Sequence, residues 1–167
     1  MRVAVGIVVP LVAALLQASV VPFLAVGSAR PNLVVLVAAS WSIAAGAREA
    51  VWWAFVGGIA ADLLSGGPLG AGALSALVPV AVVGLGDTQL RPRSVLAGAA
   101  LVGVATFGAQ VIYLLVLAIA GVALGDVTAL GTSALSTAVY DGVLAIATYP
   151  LFRALHRTTE KQASFGW

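Results

Sequence analysis

The chain has 167 residues, of which 62% are hydrophobic and 8% charged, with a net charge of +2 and a mean hydropathy of +1.12. Soluble domains run near about 45–50% apolar and about 25% charged, so this chain cannot cover itself with polar surface, and lipid must be part of its solvent. The absence of Cys excludes disulfides, thiolate catalysis and Cys-based metal sites, and the small, scattered basic excess argues against a nucleic-acid partner despite a pI near 9.5.

A spanning helix needs about 20 mostly apolar residues. The length therefore predicts an all-α integral membrane protein of about six spans in one compact bundle, with no soluble domain. Span 1 runs from Val3 to Val26 and stops at the turn-rich Gly27-Ser28-Ala29-Arg30-Pro31. Span 2 covers Asn32 to Ala45 and span 3 covers Ala50 to Leu64, separated by Gly46-Ala47-Arg48-Glu49. Ser65-Gly66-Gly67-Pro68 breaks the helix, since Pro lacks the donor and Gly costs backbone entropy. Span 4 covers Leu69 to Leu85, and the polar stretch Gly86 to Ser94 follows with Asp87, Arg91 and Arg93. Span 5, Val95 to Leu124, is longer than a bilayer needs and must tilt or end in the interface. Span 6, Ala129 to Phe152, leads into a polar tail, so residues 1–152 form the bundle and residues 153–167 a short cytoplasmic tail.

Lipid leaves the backbone only helices or a closed barrel. Barrel strands alternate apolar and polar residues. Leu33-Val34-Val35-Leu36-Val37 does not alternate, which favours helices. A rival reading of the first segment is a cleaved signal peptide, from Arg2, the apolar run and Gly27-Ser28-Ala29. The run is long for a signal core, and cleavage would leave an odd number of spans.

Orientation follows from basic residues, which collect on the cytoplasmic side. With both termini inside, the inner segments hold Arg2, Arg48, Arg91, Arg93, Arg153, Arg157 and Lys161, and the outer segments hold only Arg30 of the eight Lys and Arg. Trp52, Trp53 and Tyr149 fall near inner span ends, where an aromatic belt is expected.

Two acids lie within spans, Asp62 and Asp141. A carboxylate at a span centre costs a few kcal/mol even on lenient scales, so each must face the bundle or a partner. No Lys, Arg or His falls in a span to pair with them. The functional readings are a proton relay, an ion site or a partner contact; the bland one is a bond to a neighbouring helix. Asp62 also stands where it can cap the following turn or the start of span 4. Gly57 and Gly58 thin one face of span 3, and Asp62 follows Gly58 by about one turn on that face. Gln17 and Gln110 are the least routine of the remaining polar residues, with packing the expected role. The single His, His156, has no nucleophile beside it in sequence, and no zinc pattern or phosphate loop can be assembled. No catalytic, cofactor-binding or metal-binding residue is therefore expected, and the chain reads as a non-enzyme.

Arg30-Pro31-Asn32-Leu33 opens the second span, Trp41 follows, and then comes Gly57-Gly58-Ile59-Ala60-Ala61-Asp62-Leu63-Leu64-Ser65-Gly66-Gly67-Pro68-Leu69-Gly70. This pattern resembles the MreD family of rod-shape-determining membrane proteins, with Asn32 in place of the commoner Asp, and Asp141 matches no family feature. The resemblance implies a scaffold in the bacterial cytoplasmic membrane. Its implied partners are MreC and, through it, the MreB filament, RodA and RodA's transpeptidase partner, with a regulatory role in peptidoglycan synthesis and cell shape. Pro31, Asn32, Gly58, Asp62, Gly66, Gly67, Gly70 and Asp141 are the candidate structural or partner-contact residues. The alternative is the substrate-binding membrane subunit of an energy-coupling-factor vitamin importer. Such a subunit needs a polar ligand pocket, and the short outer loops here are poor in aromatic and charged residues. A small channel or holin is a weaker third option.

Overall fold

The computed structural model describes residues 2–85, 92 and 94–164. Among them are six α-helices: α1 (Arg2–Ser19), α2 (Leu33–Ala45), α3 (Ala47–Ser65), α4 (Ala71–Gly84), α5 (Val95–Ile119) and α6 (Val127–Ser164). The only strand-like feature among the described residues is an isolated bridge between Val26 and Ala29.

The bundle is organised around α2. This helix touches each of the other five, and it is buried continuously from Ala38 to Ala44 as well as at Val34, Val35 and Leu36. Its 13 residues make a rod of only about 20 Å at 1.5 Å per residue. That is short of the roughly 30 Å hydrocarbon thickness, but a helix jacketed by protein has no lipid to match.

Packing is inverted relative to a soluble protein. The core is dominated by small residues, among them Ala14, Ala39, Ala54, Ala76, Ala105 and Ala145, together with Ser40, Ser42, Thr106 and Thr137. Large apolar side chains face outward, including Val8, Leu15, Val104, Leu115, Val139 and Leu151. Small residues let helix backbones approach where no hydrophobic force drives them together, and an apolar exterior of this extent suits lipid.

Two helical stretches, Val95–Ile119 and Val127–His156, are long and apolar enough to cross a membrane on their own; Ala4–Ser19, Leu33–Ala45 and Ala71–Gly84 are apolar but shorter. The chain builds two such helices and four shorter or more polar ones packed with them.

The sequence-based boundaries shift in three places. Span 1 does not continue to Val26. The helix ends at Ser19, and Val21–Phe23 form a single 3₁₀ turn, because Pro22 has no N–H and disfavours helix at Val21. Span 5 stops at Ile119 rather than Leu124, where Gly121 takes a left-handed φ of 76°. At the C-terminal end, residues 153–164 continue α6 rather than forming a separate tail.

Both ends of the described chain meet one aromatic cluster. Trp41 stacks on Trp53 with centroids 4.8 Å apart, and Phe152 and His156 stand edge-on to Trp41. Gly6 of α1 lies against Trp53. The start of α1 and the end of α6 are therefore at the same end of the bundle. Of the residues assigned to an aromatic belt, only Trp52 is exposed; Trp53 and Tyr149 are buried at 3% and 2% exposure and belong to the core. Asp87, Arg91 and Arg93 lie outside the described residues, as do the side chains of Arg2, Arg157, Glu160 and Lys161.

Candidate functional site

At the opposite end, two helices begin inside the protein, and each start is held by a buried carboxyl group. A helix start leaves four backbone N–H groups without intrahelical partners, and burying one unpaired costs about 1–3 kcal/mol.

The first is the start of α2. Asn32 is the N-cap, and its Oδ1 accepts the N–H of Val35 at 3.2 Å. Its own N–H donates to both oxygens of Asp141, at 3.1 and 3.2 Å. Gln17 of α1 completes the set: its Oε1 accepts the Leu33 N–H at 2.6 Å, and its Nε2 donates to the carbonyl of the buried Pro31 at 3.3 Å. Asp141, with no solvent exposure, also accepts the Thr106 hydroxyl of α5 at 2.9 Å. The Arg30 N–H donates to Thr137 of α6 at 3.3 Å. One short segment, 30–33, thus draws bonds from α1 and α6, and α5 joins it through Asp141.

The second is the start of α4. Asp62, 5% exposed, accepts the Gly70 N–H on Oδ2 at 2.9 Å and the Gly72 N–H on both oxygens at 3.0 and 3.1 Å. Gly66 and Gly70 have φ of 68° and 89°, values open to glycine and strained for residues with a Cβ. They give the chain its reversal between α3 and α4. Gly67 has no such φ, and a Cβ there would meet nothing closer than 3.5 Å. Gly58 works by approach instead: a Cβ on it would stand 2.7 Å from the Ala73 backbone nitrogen. This contact presses α3 and α4 together one turn below Asp62.

All eight sequence candidates therefore fall at this end, in two groups. Pro31, Asn32 and Asp141 form one; Gly58, Asp62, Gly66, Gly67 and Gly70 form the other. Sequence reasoning missed Gln17, Thr106 and Thr137 as members of the first group. A Gln in an apolar helix was the one usable signal, since a buried amide needs a partner; the two threonines look like ordinary interhelical glue. A separate cap starts α6, where Asp126 accepts the Thr128 N–H at 2.9 Å and the Thr128 hydroxyl. These bonds hold this exposed carboxyl below its usual range. Among the described residues no three His, Cys, Asp or Glu gather in a way that could hold a metal ion. The arrangement fastens helices to one another.

The chain matches the family model of the rod shape-determining protein MreD over residues 1–159. No curated protein and no solved structure matches it, and nothing in these comparisons points to an importer subunit. The match covers nearly the whole chain and agrees with the inverted packing of the bundle: the chain belongs to the MreD family of rod shape-determining membrane proteins.

Proposed function

We propose that the chain is a non-enzymatic scaffold of the bacterial elongation machinery, binding MreC and so regulating peptidoglycan synthesis and cell shape. The observation that carries this reading is the family match across residues 1–159. The geometry is consistent with it, because Asp62 and Asp141 are both engaged in holding helix starts. We further propose six passes through the cytoplasmic membrane, with both termini and residues 153–167 in the cytoplasm. The basic residues other than Arg30 then lie inside. The turn at Asp62 to Gly70 and the segment around Pro31, Asn32 and Asp141 shape the outer end that faces the extracytoplasmic part of MreC. MreB, RodA and its transpeptidase partner join through MreC.

The test is copurification. Tagged chain, solubilised from membranes in mild detergent, should bring MreC with it in a fixed ratio. Recovery of the folded chain without MreC, from cells that contain both, would contradict the proposal.

A further inference from the structure

At the end of the bundle where α2 and α4 begin there is a cavity of about 380 Å³, a size in the range of small-molecule sites. Its wall is built by five helices, α1 to α5, and the turn after α1. Around this ring each neighbouring pair is in contact: α1 with α3, α3 with α4, α4 with α5, α5 with α2, and α2 with α1.

The wall is asymmetric in chemistry. Ala14, Val34, Val35, Ala76 and Ala109 form an apolar part. The polar part contains Arg30, Asn32, Asp62, Gln110 and Tyr113. Asp62 is the one acid among them, and its oxygens already accept three helix N–H bonds. Arg30 has no ion pair with any described residue, and the side chains of Gln110 and Tyr113 have no hydrogen-bond partner among the described residues. The Nδ2 of Asn32 likewise donates to none of them, its Oδ1 being the atom used for the cap. Free donors and one cation without an ion pair thus line a space shared with Asp62, whose oxygens accept the Gly70 and Gly72 N–H groups.

We infer that this cavity is a binding site for a compact water-soluble oxyanion, a phosphate or carboxylate, held by Arg30 with Asn32, Gln110 and Tyr113. A guanidinium matches either group with two parallel bonds. A lipid phosphate has the same chemistry, and the phosphatidic acid series below tells the two sources apart. The inference rests on the cavity lining alone and not on the proposed partnership with MreC.

The experiment uses the absence of native Cys. Ser65 lies on the cavity wall, so Ser65→Cys places a single thiol there, and Val122→Cys places one on the exposed connection outside it. The purified full chain in detergent is alkylated with uncharged iodoacetamide in the presence of inorganic phosphate, glycerol 3-phosphate or succinate. A parallel series contains dioleoyl phosphatidic acid in the micelle. At least one soluble anion should slow alkylation of the Ser65→Cys chain and leave the Val122→Cys chain unaffected. Arg30→Gln should raise the concentration needed for protection about tenfold, the loss of one charge-assisted contact. Tyr113→Phe, which removes only a hydroxyl, should raise it less. Each variant is accepted only with an unchanged melting temperature. No protection by any soluble anion, protection only by phosphatidic acid, equal protection in Arg30→Gln, or equal slowing at Val122→Cys would each overturn the inference.

Discussion

Asp141 in α6 accepts the backbone N–H of Asn32 with both of its oxygens, 109 residues away in sequence, and so fastens the last helix to the first residue of the central one. Removing it takes the carboxyl partner from that part-buried N–H, at up to about 1–3 kcal/mol. Asp141→Leu should lower the melting temperature of the purified chain clearly. Thr106→Val removes one bond to the same carboxyl and should cost about 1 kcal/mol. If Thr106→Val destabilises as much as Asp141→Leu, the bond to Asn32 is not the dominant one.

Asp62 makes a graded prediction. Its two oxygens share the N–H groups of Gly70 and Gly72. Asp62→Asn keeps one acceptor and turns an amide donor toward the other N–H, so protein level and rod-shape rescue should fall partway. Asp62→Leu keeps none and should deplete the protein from membranes, consistent with a cap worth about 0.5–2 kcal/mol plus an unsatisfied donor. A proton relay through Asp62 would give a different pattern, with both variants abundant and both inactive.

Gly58 and Gly67 separate close approach from coincidence. Gly58→Val must push the backbone of α4 away at Ala73, and overpacking of this kind costs about 1–3 kcal/mol. Gly67→Ala meets only ordinary contacts and should melt within about 0.5 kcal/mol of wild type. Thermal unfolding of both variants in one detergent decides whether the α3–α4 seam sets bundle stability.

Topology is checked by single cysteines in a chain that has none. In intact cells a membrane-impermeant thiol reagent should modify Ser28→Cys and spare Arg48→Cys and Arg91→Cys. Labelling of both Arg positions would reverse the orientation.

What could be read in the sequence depended on how local each interaction was. Asp62 and its partners are eight and ten residues apart, with a Gly-Gly-Pro break between them, so a carboxyl reaching the next helix start could be anticipated. Asp141 and Asn32 are brought together only by the whole bundle, and nothing in the chain order links them. Apolarity identified membrane helices but could not tell lipid-facing from core-facing segments. The run in α2 reads like any lipid-exposed span, although it is the central helix. Trp53 and Tyr149 were assigned to the interface by their position near helix ends, and they lie in the core. The cavity was invisible for the same reason. Its wall comes mostly from helices, with Val21, Pro22 and Arg30 added from the connection between α1 and α2, so short and plain loops did not forecast its absence.

A role as a scaffold for rod shape is tested most directly by depleting the chain from growing rod-shaped cells while following cell width. Cells should widen and round as the chain is lost. Wild-type chain should restore the rods, and Asp62→Leu should not. Cells that keep a constant width after the chain is gone would contradict that role.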